Sequence, residues 1–264
     1  GGAFQVAGAV SGKNFDVAHY ISHPTPLIVP LMLRVKTKRS VMTMFDGNLN
    51  GFWKKLWNPI ISWLCNRTLD TVTVQTEYQA KLLKRTSIKT VTEIIPPILP
   101  VLKRTCKRSK NPSLLFMSHM HPNKGINEVI EAYKILKKKI SELSLIIADS
   151  GITKNREYAD GIKSMHDNMI TLKEVVNPAE ELSKAWVYLY PAREAQENFS
   201  VPLSLVESIQ VRTPWIAADV GGIKEYFESA FLVKAGNAEA IAALTKKLIE
   251  KPKVGRMTKR FSNQ

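Results

Sequence analysis

Parallel α/β sheets, doubly wound in the second half, are the fold class this sequence predicts, on three observations. Short apolar runs alternate with longer amphipathic segments along most of the 264 residues, which is the strand–crossover–strand pattern of a parallel sheet. After residue 111 the alternation sharpens, and its helical segments repeat their apolar residues at three- and four-residue steps. Between the halves lies a stretch of linker composition, with Pro96, Pro97 and Pro100 followed by Lys103-Arg104 and Lys107-Arg108. Two domains are expected, over residues 1–100 and 101–264.

In the first half, Val17-Ala18-His19-Tyr20 reads as a buried strand, residues 40–45 as a second and 71–74 as a third. A helix over 77–84 follows the third strand. In the second half, strands are expected at 114–117, 145–148, 187–190, 215–217 and 231–233. A helix over 126–140 places Ile126, Val129, Ile130, Tyr133, Leu136 and Ile140 on one face. Two more helices fit at 179–183 and 203–209. Asn237 is a suitable N-cap for a last helix carrying Ile241, Leu244 and Leu248. Doubly wound sheets bind ligands at the carboxyl ends of their strands, where strand order reverses.

Composition narrows the function classes. No stretch nears the roughly 18 unbroken apolar residues of a membrane-spanning helix. No basic-then-apolar leader is visible at the start of the chain. Cys65 and Cys106 are the only cysteines, which argues against a disulfide framework and for a reducing, cytoplasmic setting. Asn66-Arg67-Thr68 matches a glycosylation acceptor, a chance match in a cytosolic chain. The net charge of +15 is lopsided: residues 1–110 hold 17 Lys and Arg against 5 Asp and Glu, the remainder 21 against 18. Such a basic first half suits anionic lipid or phosphorylated substrates, or is simply a solvated face. Its charges are dispersed and carry no nucleic-acid motif, so no nucleic-acid partner is expected.

Three segments carry candidate chemistry. Ser118-His119-Met120-His121-Pro122-Asn123-Lys124-Gly125 joins a strand to a helix, where backbone N–H groups and the helix dipole favour an anion and Lys124 adds a point charge. A solvated turn fits these residues equally. Asp149-Ser150-Gly151 follows a strand and has the composition of an ordinary turn. Residues 190–227 read YPAREAQENFSVPLSLVESIQVRTPWIAADVGGIKEYF. Glu197 and Glu207 flank a helix start there, and ionised carboxylates accept strong hydrogen bonds from sugar hydroxyls. Gly221-Gly222 follows a strand and permits close backbone approach to a ligand. A surface Glu207 and a plain tight turn at Gly221-Gly222 are the alternatives.

In order and spacing, Lys124-Gly125, Pro191-Ala192, Glu197-Asn198-Phe199-Ser200, Glu207-Ser208, Thr213-Pro214-Trp215-Ile216-Ala217 and Gly221-Gly222-Ile223-Lys224-Glu225 resemble glycosyltransferase family 4, of the GT-B fold. The likeness covers residues 111–250 well and 15–100 loosely. It implies two Rossmann-like doubly wound domains, the first incomplete. No first strand or glycine-rich loop is recognisable before Asp16, and the chain stops at about Phe261-Ser262, where members begin a closing helix. It also implies roles. Lys124 and His119 would face the donor diphosphate, and Glu197 the donor sugar; these three are the catalytic candidates. Glu207 would meet the nucleotide ribose. Ser118, Asp149, Phe199, Ser200, Gly221 and Gly222 would complete the donor site, with Asp46 on the acceptor side and no metal.

The departures are specific. His119 stands where the family has a phosphate-binding Arg, and an imidazole is neutral for much of the time at neutral pH. Nine residues separate Glu197 from Glu207, more than in the family pattern. Either the loop is longer, or the first Glu is lost and Phe199 holds its place. Ser200 replaces a Gly, and Asp46 a His.

Residues 51–64 are rich in Trp and Lys. Trp53, Leu56, Trp57, Ile60, Ile61 and Leu64 would share one face of a single helix, which suits an interfacial membrane contact, although Pro59 should break or restart that helix with Asn58 as its cap. The expectation is a retaining transferase, cytoplasmic and peripheral on an anionic membrane. It would move sugar from a nucleotide sugar to a lipid-linked or polysaccharide acceptor, with no cofactor beyond that donor. A non-catalytic nucleotide- or glycan-binding scaffold is the second reading.

Overall fold

The computed structural model describes residues 13–21, 36–44, 52–97, 100–149, 156–164, 170–174, 176–193 and 201–255. The chain divides into two compact units, one formed by Gly1–Ile98 with Gln196–Val201, the other by Leu99–Ala195 with Pro202–Gln264.

The first unit is built on four parallel strands in the order β1 (Asn14–Ile21), β2 (Lys36–Thr43), β3 (Thr71–Val74), β4 (Val91–Ile94). Helix α1 (Phe52–Thr68) crosses from β2 to β3, and α2 (Glu77–Lys84) from β3 to β4. At the end of β2 alternate residues turn inward, and Met42, with Met44 just after the strand, packs with Val72 and Val74 of β3, Cys65 of α1 and Leu83 of α2 into one core. Burial pushes the Cys65 thiol up to about 11. Strand β1 corrects the expectation of a buried strand: it is an edge strand, and Val17 is 57% exposed. Strand β4 was not expected. It is short, and exposed along most of its length, so no apolar run announces it.

Helix α1 also departs from expectation, because it runs unbroken through Pro59. Proline removes one helix hydrogen bond. The second half of the helix holds nonetheless, since Ser62, Leu64, Cys65 and nearby Leu69 are buried. Leu64 therefore faces the core and not a membrane, while Ile60 and Trp63 point outward. The side chains of Trp53, Leu56, Trp57 and Ile61 lie outside the described residues. Asn66 ties the end of α1 to the loop between α2 and β4, its side-chain amide donating to the Ser87 carbonyl at 2.8 Å and accepting from the Lys89 N–H at 2.6 Å. Thr76 and Gln79 form a reciprocal capping box at the start of α2.

The second unit has six parallel strands in the order β10-β9-β8-β5-β6-β7. They are β5 (Ser113–Met117), β6 (Ser144–Asp149), β7 (Ile170–Glu174), β8 (Val187–Tyr190), β9 (Trp215–Ala218) and β10 (Leu232–Val233). Helix α3 (Ile126–Lys137) joins β5 to β6 and α4 (Arg156–Ser164) joins β6 to β7. Helix α5 (Pro178–Lys184) leads back to β8, α6 (Leu203–Gln210) follows β8, and α7 (Ala238–Glu250) comes last. Right-handed crossovers place α3 and α4 on one face and α5 and α6 on the other. Helix α7 packs against α3, and α5 against α6. Strands β5, β8 and β9 are buried on both faces, as the continuous apolar runs require. Helix α4 and strand β7 escaped the sequence reading.

The expected linker is instead a strap on this unit. The Arg104 guanidinium donates to the carbonyls of Ser183 and Val211, at the ends of α5 and α6. The Leu102 N–H donates to Gln210, the Thr105 N–H to Ser183 Oγ, and the Trp186 indole to the Ser109 carbonyl. Arg212, just after α6, takes φ 58°, the left-handed position that usually falls to glycine.

Asn237 caps α7, its side chain accepting from the Ala240 N–H at 2.8 Å. Asn237→Ala is expected to lower the stability of this unit by about 1 kcal/mol, read by chemical denaturation. An unchanged midpoint would mean that the cap contributes nothing.

Candidate functional site

The order of the six strands fixes where a ligand fits. The chain moves outward from β5 through β6 to β7, then returns to the far side of β5 and moves the other way through β8, β9 and β10. Strand order therefore reverses between β5 and β8. The turns after these strands leave toward opposite faces and open a crevice at their carboxyl ends.

The turn after β5 is tightly made. The Ser118 N–H donates to the Ala148 carbonyl at 3.1 Å. Pro122–Lys124 forms a single 3₁₀ turn, with the Asn123 N–H donating to His121 Nδ1. The rings of His119 and His121 stand 6.2 Å apart. Lys124 is only 8% exposed. Gly125 then takes φ 79°, and a Cβ added there would lie 2.1 Å from the Pro191 carbonyl oxygen. Glycine is thus required twice over, by the backbone and by the turn after β8.

That second turn closes on the first. The Arg193 N–H donates to the Asn123 carbonyl at 2.9 Å. The Arg193 Nε lies 2.5 Å from Glu128 Oε1, in the first turn of α3. Neither residue was singled out from sequence. Glu128 reads as a polar position of an amphipathic helix, and its partner is 65 residues away.

Asp149 ends β6, buried, beside Glu174 of β7. Gly221 takes φ 60° in the turn after β9, whereas Gly222 has an ordinary φ of −89°, so only the first depends on glycine's freedom. The Asp219 N–H donates to the Val233 carbonyl and holds this turn against β10. Glu207 lies in the second turn of α6, half-buried, and burial raises its carboxyl above the ordinary range. Among the described residues no hydrogen bond or ion pair reaches its carboxyl group. Ser204, one turn earlier, accepts from the Tyr188 hydroxyl at 2.7 Å and ties α6 to β8.

Ser118, His119, Lys124, Asp149, Gly221 and Gly222 thus stand at the carboxyl-terminal edge of one sheet, with Glu207 on the helix that follows β8. Glu197, Phe199, Ser200 and Asp46 lie outside the described residues. Among the described residues no cluster of His, Cys, Asp or Glu has the makings of a metal site. A buried lysine, the N–H groups of a helix start and a half-buried carboxylate together suit an anionic ligand bearing hydroxyl groups.

The family model described as glycosyl transferases group 1 matches residues 102–264. EpsD of Bacillus subtilis (strain 168), which carries a glycosyltransferase name, is 25% identical over 280 residues, covering 96% of this chain and 72% of its own length. CapM of Staphylococcus aureus, named as a capsular polysaccharide biosynthesis glycosyltransferase, is 27% identical over 140 residues, covering 51% of this chain and 36% of its own. Anabaena HepE, solved in complex with UDP-glucose, superposes with a TM-score of 0.76 at 15% identity, covering 94% of this chain and 72% of that one. Its likeness establishes a GT-B-type fold of Rossmann-like domains.

A carboxyl raised by burial favours the neutral acid in the folded state. Its contribution is complete below the ordinary carboxylate range and is lost as pH rises through the raised value. Glu207→Gln, neutral throughout, is therefore expected to melt above the parent at about pH 7 and to converge on it near about pH 4. A parent that melts at or above the variant at neutral pH would show that Glu207 is not strained by its burial.

Proposed function

The chain belongs to the glycosyl transferases group 1, and from that premise we propose that it moves a sugar from a nucleotide-sugar donor to a lipid-linked or polysaccharide acceptor, with retention at the anomeric carbon. It is a glycosyltransferase; the donor, acceptor and stereochemistry are the proposal. The observation that carries it is Lys124, buried in the turn that opens α3, on one lip of the crevice where strand order reverses. A diphosphate leaving group gains charge as the glycosidic bond breaks, so a fixed cation and aligned N–H groups favour the transition state over the ground state. Lys124 and the amides of the neighbouring turns supply that field, and His119 joins them when protonated. Glu207 is the hydroxyl acceptor for the nucleotide's ribose. No cofactor beyond the donor is proposed. HepE in complex with UDP-glucose supports a nucleotide sugar as donor, and the capsular polysaccharide role in the name of CapM supports a glycan acceptor.

We place the reaction at an anionic membrane surface, in the cytoplasm. Among the described residues no helix is long and apolar enough to cross a membrane. Helix α1 instead presents Ile60, 50% exposed, and Trp63, 59% exposed, with the Arg67 guanidinium 5.6 Å over the Trp63 ring. An exposed indole beneath a guanidinium suits a bilayer interface, and the basic first half adds attraction to anionic lipid.

Two measurements test these readings. Lys124→Ala is expected to weaken nucleoside diphosphate binding by roughly 1.5–3 kcal/mol in calorimetry with UDP, GDP and ADP; unchanged affinity removes Lys124 from the site. Binding to anionic vesicles is expected to fall with added salt and with Trp63→Ser. Equal binding to neutral and anionic vesicles at low salt would contradict the membrane placement.

A further inference from the structure

The Glu128–Arg193 pair stands outside every role assigned so far. Glu128 is 3% exposed and Arg193 48%. A single bond joins them: Nε meets Oε1, while Glu128 Oε2 is buried with no hydrogen-bond partner among the described residues. As a source of stability this is poor design. A buried carboxylate with one oxygen unsatisfied is costly, and apolar side chains of similar volume serve a core as well or better.

Its placement points to another use. Arg193 grips both sides of Lys124. Its backbone N–H holds the Asn123 carbonyl, one residue before the lysine, and its side chain holds Glu128, four residues after it. The Pro191 carbonyl meanwhile sits against Gly125 so closely that no Cβ fits between them. The turn after β8 thereby holds three points of the segment that follows β5. The Tyr158 hydroxyl, on α4, donates to Asn127 at 3.4 Å and braces the first turn of α3 beside the pair.

We infer that Glu128 and Arg193 are positioning residues for sugar transfer: their ion pair sets the spacing of the two crevice lips and the direction in which Lys124 meets the donor diphosphate. This rests on the donor-site reading of Lys124. A fixed cation is effective only if its geometry is held before the donor arrives, since small misplacements at a reacting centre cost rate steeply.

The test separates position from stability. Glu128→Leu/Arg193→Met replaces the pair with apolar side chains and leaves no buried charge behind. It is expected to melt at or above the parent temperature yet to bind UDP, GDP or ADP roughly tenfold or more weakly in calorimetry. In sugar transfer, kcat is expected to fall at least as steeply as the donor KM rises, since the field of Lys124 acts most strongly on the transition state. Arg193→Lys, which keeps a cation opposite Glu128, is expected to recover part of the affinity. Adding Lys124→Ala to the double variant is expected to cost less than it does in the parent, because the lysine is already misdirected. A double variant that binds nucleoside diphosphate like the parent overturns the inference and leaves the donor site standing. A folded parent that binds none of the three nucleotides overturns the donor-site reading itself, and the inference with it.

Discussion

Between β5 and β8 two turns must leave neighbouring strands toward opposite faces of one sheet, and the rest of the site depends on how closely they approach each other. Close-packed α/β sheets leave little room at such a point. Here the gap is set by a backbone contact, the Pro191 carbonyl against the Cα of Gly125. A side chain at 125 would separate the turns and swing Lys124, so the lysine's position is inherited from a glycine and a strand order.

Buried charge gathers near the same point. Lys124, Asp149 and Glu128 are all buried at or near the carboxyl edge of the sheet, where parallel strands and helix starts supply oriented dipoles. Elsewhere in the second unit Trp215 packs edge-on against Phe227 and tilted against Phe231, while buried Glu181 is held by the Lys173 ammonium at 2.7 Å and the buried hydroxyls of Ser183, Ser208 and Thr213 donate to nearby carbonyls. Buried polar groups are kept where a partner, or a ligand, repays their desolvation.

Much of this architecture was legible in the sequence. Strand β3 and helix α2 fall on 71–74 and 77–84 because turn residues bound a short β-branched run there. The Asn237 cap could be read because a polar residue immediately precedes a periodic apolar stripe. Helix α4 was hidden by Gly161 and its charged residues, and β7 by its shortness. Pro59 misled because local stereochemistry was weighed without the packing of Leu64 and Cys65 that holds the rest of α1. Glu128 and Arg193 were invisible for a general reason. A charged residue reads as solvated unless its partner is known, and this pair is made by topology.

The strap over residues 102–109 bears on how the molecule can be divided. Composition alone would cut it away as spacer. Yet the last carbonyls of α5 and α6 have no intrahelical partners, and Arg104 and Thr105 meet the end of α5 while Arg104 alone reaches Val211. A polypeptide begun at Asn111 would keep every strand of the six-stranded sheet and lose the residues that bond the Ser183, Lys184 and Val211 carbonyls. One begun at Leu99 would carry its own fastening. The natural seam of the second unit therefore lies a full strap-length before its first strand.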